Sequence, residues 1–184
     1  MAKKDNLLTE GSWVVHQAYG TGQVRGTKKK HFGDEPKNYY QIVTPKMTLW
    51  VSEESASEQV RQVAEPKVVK AAIEALKLPA EMLSDNNRMR ELQLKAVTPF
   101  NSLDEIAEML RNLRHWKNKN GVLTGSDRQA WDRLTHAFAS EWAISLDADL
   151  GTVEKELISI IETAHPKESD KEEEAKQEDK EKSE

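Results

Sequence analysis

The chain contains no cysteine. That excludes disulfides, thiolate zinc sites, iron–sulfur clusters and thiol catalysis. It also has no apolar run near the roughly 18–20 residues needed to span a bilayer. Its start, Met1 to Asp5, carries charge but no apolar stretch of signal-peptide length. These absences lead to the expectation of a cytoplasmic protein with no membrane role. Only eight glycines occur in 184 residues, and five of them (Gly11, Gly20, Gly22, Gly26 and Gly33) fall in the first fifth of the chain. Aromatic residues make up 6%, yet five of them are tryptophans.

The net charge of −5 is unevenly distributed. Residues 167–184 hold nine acidic and five basic residues, and Ala175 is their one apolar side chain. That segment is −4, so residues 1–166 carry about −1. An acidic tail thus masks a near-neutral body, and the average charge argues little against a nucleic-acid partner. The tail composition predicts disorder or a fraying helix.

Two kinds of patterning follow one another. Between Gly11 and Val63, short β-rich runs alternate with turn signals: 13–16, 22–30, 38–43, 47–51 and 59–63. Such spacing predicts a small antiparallel β-barrel, with Gly20 and Gly22 supplying positive-φ turns. After Pro66 the period becomes helical. Val68, Val69, Ala72, Ile73 and Leu76 form one stripe, ended at Leu78-Pro79, and residues 80–97 form a second, weaker helix. Ser102 and Glu105 have capping-box spacing ahead of Leu103, Ile106, Leu110 and Leu113. Thr124 is expected to cap a long helix bearing Trp131, Leu134, Phe138 and Trp142. Leu150-Gly151 should break that helix, and Thr152 should start a last one. The fold class is therefore α+β, with a β domain over 1–64, a helical domain over 65–166 and the tail over 167–184.

Catalytic signatures are missing. There is no Walker-type loop, and Gly20-Thr21-Gly22 lacks the following helix of a dinucleotide site. His16, His31, His115, His136 and His165 show no paired metal spacing. With thirty-two carboxylates, chance pairs carry no acid–base assignment. A non-enzymatic protein without cofactor or metal is expected. Basic residues say more: Arg111, Arg114, Lys117 and Lys119 place +4 in nine residues, and residues 86–133 total +3. A helix surface of this kind can neutralise phosphates, or it can be an ordinary solvated face. Lys28, Lys29 and Lys30 fit a phosphate contact or a charged strand edge. Trp131 and Trp142 read as core or as stacking platforms. Trp13 and Trp50 read as core or as exposed contacts, Trp50 pointing opposite to Leu49 and Val51.

The order of these pieces resembles the CarD-type family of bacterial RNA polymerase-binding transcription regulators. The likeness is carried by Gly11 to Gly22 (GSWVVHQAYGTG), Tyr39-Tyr40, Met47 to Val51 (MTLWV) with Val60 to Val63 (VRQV), Leu110 to Leu113 (LRNL), and Leu123 to Arg128 running on to Glu141-Trp142. The resemblance implies a Tudor-like barrel that docks by its edge on the polymerase β subunit, with Met47, Thr48, Leu49, Trp50 and Val51 as docking strand and Lys30 beside it. Relatives often carry arginine at the places of Trp50 and Lys30. It further implies a helical domain touching promoter DNA, weakly without polymerase, through Asn87, Arg88, Arg90, Arg111, Arg114 and Arg128. Asn87 stands where relatives place a tryptophan wedged into the minor groove. The implied protein is a monomer that modulates initiation. A protein-only adaptor that never touches DNA, and a free-standing nucleic-acid-binding Tudor-like protein, are the other readings.

Overall fold

The computed structural model describes residues 8–31, 35–123 and 125–165. The acidic tail and the Thr124 cap lie outside them. Five strands come first: β1 (Trp13–His16), β2 (Gly20–Lys30), β3 (Lys37–Val43), β4 (Thr48–Ser52) and β5 (Val60–Gln62), with a one-turn helix α1 (Ala56–Gln59) between the last two. They form one antiparallel sheet in the order β4-β3-β2-β1-β5. β4 and β5 are its two edges, and α1 packs against both. Helix α1 thus bridges the seam that a hydrogen-bonded pair would close in a complete barrel.

Strand alternation selects the sheet core. Val14, Val24, Tyr40, Ile42, Val51 and Val60 are buried together with Leu8 and Ala56, and Leu49 packs against them. The two turn glycines serve different ends. Gly20 adopts φ +70°, a turn conformation that suits glycine. Gly22 instead supplies space, because a Cβ there would lie 2.8 Å from Ile42 Cγ2. His16 is buried in β1, where its Nδ1 accepts from the Ala18 amide at 3.0 Å; burial holds its pKa below the ordinary value.

Helices α2 (Pro66–Ala75), α3 (Asn87–Ala96), α4 (Leu103–Asn120), α5 (Gly125–Ser145) and α6 (Leu150–Ala164) follow, packed around a hydrophobic cluster separate from that of the sheet. Pro66 opens α2, where its missing N–H would have no intrahelical partner. Val69, Ala72 and Leu76 reach the core, but Val68 is exposed. Residues 80–86 are not helical. Their chain is held from a distance, Asn112 Oδ1 accepting from the Glu81 amide at 2.7 Å, and α3 begins only after Asn86, whose side chain accepts from the Arg88 and Met89 amides. The capping box of α4 is complete. Leu103, Ile106, Leu110, Leu113, Leu134 and Phe138 form the centre of the core with Leu157 and Ile161, and Trp142 and the half-buried Trp131 are packed with them. The break before α6 falls at residues 146–149 rather than at Leu150-Gly151, because Asp149 is the cap, accepting from the Thr152 amide at 2.8 Å.

Bonds from the Ser102 backbone and hydroxyl hold the Glu105 carboxyl below its ordinary value of 4.5. A depressed pKa contributes stability that is complete above the ordinary value and fades as pH falls through the lowered one. Ser102→Ala should therefore cost about 1 kcal/mol at neutral pH. Urea denaturation should show that cost shrinking in acid as Glu105 protonates.

Candidate functional site

Among the described residues, strand β4 pairs with β3 alone. Its register sets Tyr40 opposite Val51, Gln41 opposite Trp50 and Ile42 opposite Leu49. Among the described residues, the other edge of β4 carries no strand. Alternation turns Val51 and Leu49 toward the sheet core and Trp50 to the opposite face, where it is half-buried. Lys30 Nζ lies 4.1 Å from the Trp50 ring centroid and Lys28 Nζ 5.9 Å from it. At a partly exposed site such a cation–aromatic contact contributes roughly 0.5–1 kcal/mol. Met47 and Thr48 are exposed at the start of the strand. Of the six docking residues suggested by resemblance, Lys30, Met47, Thr48 and Trp50 thus offer side chains. Leu49 and Val51 can offer backbone groups.

The six residues suggested for DNA divide differently. Asn87 and Arg88 are exposed at the start of α3, with Asn87 Oδ1 accepting from Arg90 Nη2 at 2.8 Å. Arg128 is exposed and paired with Asp132 one turn on, at 3.1 Å. Arg90, Arg111 and Arg114 are buried, at 8%, 8% and 6% exposure. Arg90 donates to Asp127 Oδ1 at 3.0 Å and to the Ser84 carbonyl at 2.9 Å, and its guanidinium lies 4.2 Å from the Trp116 ring centroid. Arg111 donates to the Ala75 carbonyl at 2.6 Å, at the end of α2. Arg114 donates to the His165 carbonyl at the end of α6 and to Glu162. The +4 run is therefore no continuous solvated face. α4 is central enough that positions 111 and 114 meet neighbouring helices, and helix ends present unbonded carbonyls to which a guanidinium can donate. Arg133 acts alike, donating to the Leu94 and Val97 carbonyls at the end of α3.

Trp13 is exposed in a cleft of about 1170 Å³ between the sheet and α5, which Tyr19, Pro45, Pro99, Ile144 and Leu150 also line. Among the described residues no group of three or more His, Cys, Asp or Glu could hold a metal ion, and no helix is long and apolar enough to cross a membrane.

Residues 8–64 match the family model described as the CarD-like/TRCF RID domain. The N-terminal segment is similar to that domain. The match spans all five strands and α1, including both sheet edges, and the helices lie beyond it. It points to an RNA polymerase-interacting, transcription-related protein. No curated protein matches the chain.

The CarD-like domain is joined to the helices by a residue that sequence patterning alone did not single out. Arg61, on β5, donates from Nε to the Phe100 carbonyl at 2.8 Å and from Nη2 to the Asn101 carbonyl at 2.9 Å. Its Nη1 donates to Glu141 Oε2 of α5 at 2.8 Å, and Nη2 donates to Glu141 Oε1. Glu141 is 1% exposed and also accepts from the Ala64 amide at 3.1 Å. A charged residue within the apolar stripe of α5 was the available signal.

Removing one partner of a buried ion pair leaves the other charge without compensation. Arg90→Ala should thus destabilise the protein by roughly 3–5 kcal/mol, whereas Arg128→Ala should stay within about 0.5 kcal/mol. Urea denaturation compares them directly. Equal, small effects would make Arg90 a surface cation like Arg128.

Proposed function

We propose that this protein is a non-enzymatic transcription regulator that docks on the RNA polymerase β subunit through its CarD-like domain. In this reading it modulates initiation at promoters, as a cytoplasmic monomer, with DNA contacts from the helical domain. The observation that carries it is the outer edge of β4, which pairs with no strand among the described residues and lies inside the segment that matches the CarD-like/TRCF RID family. An exposed strand edge is costly to leave open, because its unpaired N–H and C=O groups template pairing with another chain. Strand addition gives such an edge affinity through the backbone, and outward side chains select the partner. Trp50, flanked by Lys28 and Lys30, is the selecting group here.

The DNA part of the proposal falls to the exposed residues. Arg88 and Arg128 suit backbone phosphates, and Asn87 can meet a base edge. Resemblance sets a wedge near Asn87, but asparagine cannot fill an opened base step. Met89, two residues on and 53% exposed, is the apolar side chain at that end of α3. A protein-only adaptor is the second reading. It is favoured by the fact that three of the six suggested DNA residues, Arg90, Arg111 and Arg114, are occupied inside the protein.

Two measurements separate these readings. Full-length protein should retain the β subunit in a pull-down, and Trp50→Glu should weaken retention roughly tenfold or more, the scale expected for a central aromatic anchor. Retention untouched by Trp50→Glu would reject the β4 edge. The pair Arg88→Ala and Arg128→Ala should shorten promoter-complex lifetime and lower the logarithmic salt slope by about 0.9 for each phosphate no longer neutralised. An unchanged lifetime and slope would leave the adaptor.

A further inference from the structure

We propose that Arg61 is a positioning residue that fixes the angle between the CarD-like domain and the helical domain, so that sheet docking and DNA contact occur at one set geometry. The inference rests on the function proposed above for the two surfaces; the geometry that supports it stands independently.

Only residues 63–65 separate the end of β5 from the start of α2. A three-residue link limits distance between domains but leaves direction free, because each residue retains two soft dihedrals. Arg61 sits beside this link and removes that freedom. Its guanidinium reaches the carbonyls of Pro99, Phe100 and Asn101, in the turn before α4, at 3.2, 2.8 and 2.9 Å. It meets both carboxylate oxygens of Glu141 on α5 and folds back on the Gln62 carbonyl at 3.1 Å. Glu141 in turn accepts from the Ala64 amide, within the link itself. Val63 donates its amide to Trp13 of β1 at 3.2 Å, tying the same link to the sheet.

The arrangement therefore spans the link, one interhelical turn and one helix from a single side chain on the sheet's edge. Planarity matters: a guanidinium presents its donors in a fixed fork, so bonds to a turn and to a carboxylate together define an orientation as well as a distance. Lysine, a single rotatable ammonium, would keep the charge and lose the orientation. The cleft lined by Trp13 and Pro99 borders this joint, and apart from the link no other charged bridge between sheet and helices occurs among the described residues.

The absence of native cysteine makes the test direct. Lys29→Cys on β2 and Glu108→Cys on α4, both exposed positions, carry a pair of spin labels. Their distance distribution in the full chain should be narrow, and Arg61→Lys should widen it at least twofold. Arg61→Met with Glu141→Met leaves no orphaned buried charge, and should retain helical circular dichroism while showing the same broadening. In unlabelled protein these variants should hold the polymerase β subunit as the parent does, yet lose its effect on promoter-complex lifetime. A distribution that stays narrow in the double variant overturns the proposal. So does a broadened one with the parent's effect on lifetime intact. If the distribution broadens but the parent itself neither holds polymerase nor alters lifetime, the positioning geometry stands and the function proposed above falls.

Discussion

The two halves of this protein depend on one guanidinium finding enough acceptors. Arg61 leaves the CarD-like sheet and enters a site where the buried carboxylate of Glu141 and three consecutive carbonyls converge. Burying a carboxylate in helix α5 is costly unless its charge is compensated and its oxygens bonded. Here both oxygens are bonded by Arg61, and one accepts from the Ala64 amide as well. The turn before α4 contributes three carbonyls to which the same guanidinium donates. Each group answers for another's desolvation, which makes the contact an all-or-none unit.

Elsewhere, too, arginine serves the inside of the fold. Arg111, Arg114 and Arg133 donate to the terminal carbonyls of α2, α6 and α3, and Arg90, lying against the face of Trp116, pairs with Asp127. A guanidinium suits this work because its stem packs against apolar neighbours while its donors reach a helix end, where the macrodipole favours positive charge. His165 adds to the set, its ring Nε2 lying 2.9 Å from the Leu76 carbonyl just past α2. Arginines thus close the ends of α2, α3 and α6, around a core rich in leucine and isoleucine that includes Phe138.

What could be read from sequence follows from the range of each interaction. Strands and helices answer to local alternation and period, so β1 to β5 and the stripes of α4 and α5 fall near their expected places. The Ser102–Glu105 capping box is local in the same sense. Residues 80–86 carry apolar side chains, among them Met82 and the buried Leu83, that mimic a helical stripe; a long-range bond from the Glu81 amide to Asn112 Oδ1 holds them in another course. The direction of an arginine is still less local. Charge counting sums Arg111 and Arg114 with Lys117 and Lys119 because it cannot know which helix ends lie beside α4. Arg61 faces away from Val60, as alternation requires, but that a second domain stands on its side of the sheet is a tertiary fact.

The distribution of cations also bears on the proposed division of labour. With Arg90, Arg111 and Arg114 engaged inside, the side of the helical domain nearest α3 offers few phosphate contacts, and Arg128 already has Asp132 beside it. Non-specific affinity for DNA scales with the number of phosphates neutralised, so binding by the free protein would be weak and strongly reduced by salt. Tethering changes this, since a second contact made within an already docked complex proceeds at an effective concentration near the millimolar range for a short, well-placed link. That gain vanishes when the geometry forbids both contacts at once. A sparse cation surface and a fixed interdomain joint are therefore complementary: the fewer the contacts, the more their value depends on being held where the DNA runs. In the proposed reading the sheet edge supplies the affinity, and Arg61 determines whether the remaining cations can use it.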